Sequence, residues 1–143
     1  MKRLASSIRH ALAVACVLSI TTAAHAQEQG APAEGLNVTE VQVGTSLENG
    51  LVTSPQTSIS RTAGRIFAVI RLANPASEAT SSRVAFERVD GTPQNGLALD
   101  VPAQRRYRTV ARFGASHPPG RYRVVIRTED GTELQSVELT ITE

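Results

Sequence analysis

Tryptophan is absent from this 143-residue chain, aromatic residues amount to 3%, and there is a single cysteine. Cys16 alone cannot close an internal disulfide or supply a multi-cysteine metal site. A disulfide-stapled scaffold, a zinc ribbon and a CxxC redox protein are therefore excluded. Lysine is nearly missing as well, with Lys2 the only copy. Charged residues at 20% and apolar ones at 41% fit neither a disordered acidic tail nor a membrane bundle. The length suits one domain and not two.

The N-terminus reads as a secretory signal peptide over residues 1–26. Lys2, Arg3 and Arg9 form a positive n-region, residues 11–20 (ALAVACVLSI) an apolar run, and Ala24-His25-Ala26 a small-residue cleavage site. The competing reading is an uncleaved anchor. A spanning helix needs about 20 apolar residues, and this run breaks at Thr21 and Thr22. Lipid modification at Cys16 is disfavoured. Ala13-Val14-Ala15 only loosely resembles a bacterial lipobox, and cleavage there would leave VLSI on the mature chain.

Without the signal, 12 arginines face 13 acidic residues, a net charge of −1. The basic character of the whole chain thus says nothing for nucleic-acid binding. The expected product is periplasmic or extracellular, with no membrane span after cleavage and no cysteine. Its 117 residues must hold together by burial alone, which chains of this size can do.

Residues 27–34 (QEQGAPAE) lack periodicity and read as a disordered leader. Residues 35–143 alternate with period two and have turn signals roughly every ten residues. The first strand (Leu36, Val38, Val41, Val43) slips phase near Thr39-Glu40, as a bulge requires. Asn49-Gly50 marks a turn, and residues 57–61 read as a short edge strand. Residues 65–73 (RIFAVIRLA) are apolar on both parities and read as a central strand that Asn74-Pro75 ends. Strands are further expected around Val84 to Val89, Leu97 to Val101, Tyr107 to Phe113 and Tyr122 to Ile126.

The last hairpin has a testable register. A two-residue loop at Asp130-Gly131 pairs positions that sum to 261. Tyr122 then faces Leu139, Val124 faces Val137, and Arg123 faces Glu138 as an ion pair.

Seven or eight short strands with no helix after the signal predict an all-β, antiparallel two-sheet sandwich of immunoglobulin-like type. The stretch Pro118-Pro119-Gly120-Arg121-Tyr122 resembles the penultimate strand of immunoglobulin-like and fibronectin-III-like domains. The resemblance implies that the Tyr122 hydroxyl anchors a corner, with Gly120 and Gly131 as turn residues. The antibody-type cysteine pair and tryptophan are missing. RIFAVIRLANP (65–75), the RRYRT run and PPGRYRVVIRTEDG (118–131) also resemble small exported bacterial β-sandwich domains of unknown function. This resemblance implies a fold and an exported location but no activity.

Catalytic signals are weak. His117 is the only histidine after the signal, and its neighbour Ser116 is not placed to form a nucleophile–base pair. A solvated loop histidine is the expectation, with a hydrolase built on His117 as the alternative. Glu87, Asp90, Asp100, Glu129 and Asp130 show no converging pair, and Asp90 and Asp130 are explained as turn residues. Glu129-Asp130 is too sparse for calcium. The NVT triplet at Asn37 is read as a chance glycosylation match. No enzyme, cofactor or metal is expected.

Arginine distribution stands out. Half of the twelve copies fall within residues 106–127. Arg106, Arg108 and Arg112 share one strand parity, and Arg121, Arg123 and Arg127 share another. Both rows are expected to face solvent. The functional reading is a docking face for an acidic envelope component or protein partner, since the guanidinium fork suits carboxylates and phosphates. The plainer reading is a pair of solvated faces, split between two sheets if the order is immunoglobulin-like. A partner that adds a strand to an open edge is a further possibility, with residues 57–61 and 97–101 the expected edges.

Overall fold

The computed structural model describes residues 35–143. Residues 1–26, read above as a signal peptide, with Cys16, and the leader read at residues 27–34 lie outside the described residues. The elements are β1 (Asn37–Gly44), β2 (Leu47–Glu48), β3 (Leu51–Val52), β4 (Ser58–Ser60), a 3-10 turn (Arg61–Ala63), β5 (Arg65–Ala73), β6 (Thr80–Arg88), β7 (Leu97–Val101), β8 (Arg106–Gly114), β9 (Gly120–Thr128) and β10 (Glu133–Thr142). A three-stranded sheet in the order β1-β5-β8 packs against a five-stranded sheet in the order β4-β10-β9-β6-β7, and β2-β3 forms a small hairpin. Seven of these strands span five or more residues; of the three that span only two or three, β4 falls within the edge strand expected at residues 57–61, whereas β2 and β3 are too short for periodicity to register. This is an all-β sandwich, antiparallel as expected except that the short edge strand β4 pairs parallel with β10. No helix among the described residues is long and apolar enough to cross a membrane.

The core is one parity of each long strand. Ile66, Ile70 and Leu72 of β5, Val84 of β6, Val124 and Ile126 of β9 and Ile141 of β10 are all fully buried between the sheets. β5 is the central strand of its sheet, as its two-sided apolarity predicts. The phase slip in β1 is a bulge between Val38 and Glu40, where the Thr39 hydroxyl donates to the Arg71 carbonyl at 3.2 Å.

Two segments fold back over the outer faces. Val52 of the β2-β3 hairpin is buried beside Gly44; a Cβ on Gly44 would lie 2.5 Å from Val52 Cγ1 and 2.8 Å from the Ser54 carbonyl oxygen. Only glycine lets the hairpin settle on β1 and β5, where outward-pointing Val69 becomes buried. On the other sheet the β6-β7 loop returns over β6 and β9, with Gly96 pressed against the Val84 carbonyl and the Ala85 Cβ. Ala85 and Val125, both of outward parity, are buried as a result.

The β9-β10 hairpin keeps the 261 register over most of its length: Tyr122 faces Leu139, Val124 faces Val137 and Arg123 faces Glu138. At the turn it differs from the two-residue loop. The Thr128 N–H donates to the Thr132 carbonyl at 2.8 Å, Gly131 takes φ 94, and Arg127 faces Glu133. A three-residue loop of this kind places its glycine in the left-handed region. A bulge between Glu133 and Gln135 then restores the register.

Candidate functional site

The corner before β9 is built around Tyr122. Its hydroxyl donates to the Pro118 carbonyl at 2.8 Å, and its ring stacks on Phe86 with centroids 5.1 Å apart. The Arg88 guanidinium lies 5.6 Å above the Tyr122 ring. Gly120, at φ 151, leaves room for that guanidinium, which would stand 3.1 Å from a Cβ there.

His117 is not a solvated loop residue. Its ring packs 5.1 Å from Phe86 and 5.4 Å from Tyr122, and the residue is half-buried. The tyrosine corner folds the 115–119 loop onto the aromatic cluster, which a reading of the loop residues alone does not reveal. Among the described residues no group of three or more His, Cys, Asp or Glu side chains is placed to hold a metal ion.

The two arginine rows lie in different sheets and meet different environments. The β9 row does not stand free in solvent. Arg123 faces Glu87 across the β6-β9 ladder, and its Nε and Nη2 donate to Glu87 Oε1 at 3.1 and 2.7 Å. Arg127 Nη2 donates to the same oxygen at 2.8 Å and Nη1 to Oε2 at 3.3 Å. The Gln94 backbone N–H, in the folded-back loop, donates to Oε2 at 2.8 Å. The Glu87 side chain is 1% exposed and that of Arg127 13%.

Burial by itself pushes the Glu87 carboxyl up. Hydrogen bonds from Arg127, the Gln94 N–H and Arg123, with the Arg127 charge, outweigh it and hold the group below the ordinary carboxylate range. The expected Arg123–Glu138 ion pair is replaced. Although the two residues are register partners, Glu138 binds Arg121 at 2.5 Å, while Arg123 turns to Glu87 and approaches Glu133 at 3.6 Å. A carboxylate taken out of water needs cationic donors far more than an exposed one does, so Glu87 takes precedence over Glu138.

The β8 row is different. Arg106, Arg108 and Arg112 are exposed, and among the described residues none has a carboxylate within 4 Å. Arg65 on β5 shares their outward face and is likewise free of such a partner. Arg108 stands directly opposite Arg71, a like-charge pair that is unfavourable across a ladder. Among the described residues Arg71 is compensated only by Glu40, at 3.1 Å. Arg71, Arg106 and Arg108, with Thr39, Ala73 and Tyr107, line an open groove of about 720 Å³. Charge and shape therefore converge on the outer face of the three-stranded sheet, where the turn of the hairpin at Gly50 lies beside the Arg108 guanidinium and Arg65, Arg106 and Arg112 are exposed. The parity of β8 in the sequence shows the row; which row stays unpaired depends on where Glu87 folds.

No protein-family model matches this chain, and no curated protein matches it. Among solved structures it is similar to a part of β-glucosidase 3B from Thermotoga neapolitana in complex with glucose. The TM-score is 0.50 at 10% identity, over 78% of this chain and 16% of that one. The same enzyme in complex with alpha-D-glucose gives 0.48 at 10% identity, over 76% and 16%. β-glucosidase from Kluyveromyces marxianus in complex with glucose gives 0.45 at 9% identity, over 76% and 14%. The chain spans about a sixth of the length of the first of these proteins, and the likeness is one of fold alone: a β-sandwich of this architecture also occurs as a minor part of much larger chains.

Proposed function

We propose that this chain is a non-catalytic β-sandwich module, working outside the cytoplasm, that binds an acidic partner through the outer face of its three-stranded sheet. The observation behind this reading is the asymmetry between the arginine rows. The β9 arginines are consumed by Glu87, Glu133 and Glu138, whereas Arg65, Arg106, Arg108 and Arg112 have no carboxylate partner among the described residues. Four uncompensated guanidinium groups on one sheet face form a surface suited to carboxylates presented by another molecule. The packing of His117 against the stacked Phe86 and Tyr122 rings supports a structural role for that ring.

Co-sedimentation of the purified protein with isolated cell-envelope fractions across a salt series tests the proposal. Retention at low salt is expected to fall as salt rises. It should drop at least about tenfold in R106E/R108E/R112E, since reversing charge at a complementary contact is strongly unfavourable. R61E/R121E, which changes charge at exposed paired arginines elsewhere, should retain binding. Equal binding by both variants refutes the proposal.

A further inference from the structure

The arginine row of β8 coincides with an unpaired backbone edge. Among the described residues, β8 ends the three-stranded sheet and pairs only with β5. The Asn74 N–H donates to the Arg105 carbonyl and the Ala115 N–H to the Gly64 carbonyl, so the odd-numbered residues of β8 form the hydrogen-bonded pairs with β5. The N–H and C=O groups of Arg106, Arg108, Val110, Arg112 and Gly114 therefore point away from the sheet. The residues that present the arginines outward are the same ones that offer main-chain hydrogen bonds to a further strand.

The inner side of this edge is also incomplete. With three strands set against five, β7 lies past the end of the smaller sheet. Its inward parity is Leu97, Leu99 and Val101, aligned with Val84, Ser82 and Thr80 of β6. Leu97 is 51% exposed, the one large exposed hydrophobic among the described residues. Two clefts run between β7 and β8. One is lined by Leu97, Arg112 and Phe113, the other by Asp100, Val101 and Tyr107. A fourth strand beside β8 would sit opposite β7 and cover Leu97 and Leu99.

We infer that β8 is a strand-addition site for an extended peptide segment of a partner protein in which acidic and apolar residues alternate. Residues directly opposite each other in a ladder share a face. Side chains opposite Arg106, Arg108 and Arg112 are therefore acidic, those opposite Val110 apolar, and the intervening ones apolar and directed at Leu97, Leu99, Tyr107 and Phe113. Main-chain bonds supply affinity, and the alternating side chains supply selectivity. The inference rests on the arginine-face reading and specifies its partner and geometry.

The test is isothermal titration of the purified protein with three probes. The first is a synthetic nonapeptide in which Asp and Val alternate, except that the position opposite Val110 also carries Val. The second is the same peptide N-methylated at alternate residues, in each of the two phases. The third is polyglutamate. The unmodified peptide is expected to bind, and methylation in the phase that faces β8 to weaken it more than about tenfold, since the affinity of an added strand lies in its main-chain bonds. R106E/R108E/R112E should abolish binding. Leu97→Glu, at an exposed position where the fold tolerates change, should weaken the peptide and leave polyglutamate unaffected. If both methylated peptides and polyglutamate bind as well as the parent, strand addition is overturned while the arginine-face reading stands. If the triple variant, shown folded by its β-sheet circular dichroism, binds like the wild type, both are overturned.

Discussion

Replacing Glu87 by Gln removes one negative charge from a point where two guanidinium groups and a backbone N–H converge. Arg123 would then keep only its looser contact with Glu133 at 3.6 Å, and Arg127 would hold positive charge with no carboxylate partner among the described residues. Breaking a buried ion pair by deleting one partner costs about 3–5 kcal/mol. Side-chain exposures of 27% and 13% for Arg123 and Arg127 let water relieve part of that, and the Gln carbonyl still accepts one bond. A loss of about 2–3 kcal/mol follows, or roughly 9–13 °C in Tm for a domain of this size. The carboxyl lies below its ordinary value of 4.5 in the folded protein. Its contribution is therefore complete above about pH 4.5 and is lost as pH falls through the depressed folded value. Urea unfolding of both proteins from pH 7 down to pH 3 should show a wide gap in midpoint at neutral pH that narrows below about pH 4. A gap under about 0.5 kcal/mol at pH 7, the range of ordinary surface substitutions, or one that stays constant with pH, refutes the account of Glu87 as the charge that pins the β6-β7 loop.

Gly96→Ala should cost more than about 1 kcal/mol in urea unfolding, since φ 70 and the pressure of a Cβ against β6 both oppose it; hydrogen exchange should show the β6-β7 loop opening with it. Tyr122→Phe, which removes only the bond to Pro118, should cost about 1 kcal/mol, and an unchanged Tm would deny the corner its anchoring role. Ser82 presents a buried hydroxyl with no partner in the structure; Ser82→Ala is expected to be neutral or to stabilise by up to about 1 kcal/mol, measured by thermal unfolding.

Much of this architecture is legible in the chain because strand periodicity is local. The bulge at Thr39, the central position of β5, the edge strand at residues 58–60 and the Tyr122–Leu139 register all follow from alternation and turn residues, which act over a few positions. The loop of the last hairpin escaped that logic: a three-residue turn and a compensating bulge between Glu133 and Gln135 preserve the same side-chain pairing, so the pattern of apolar residues cannot tell them from a two-residue loop. His117 was misplaced for another reason, because its ring is held by Phe86 and Tyr122, 31 and 5 positions away.

The open edge at β8 was missed among the strands, since sheet order is a property of the assembled sandwich. By itself the sequence determined that the arginines fall on outward parities of two strands, because side chains alternate along any strand. Tertiary structure alone decided their fates: β6 brings Glu87 beside Arg123 and Arg127, and a buried carboxylate draws in the nearest cations, while β8 sits at the edge of the smaller sheet with no acid among the described residues to meet its own.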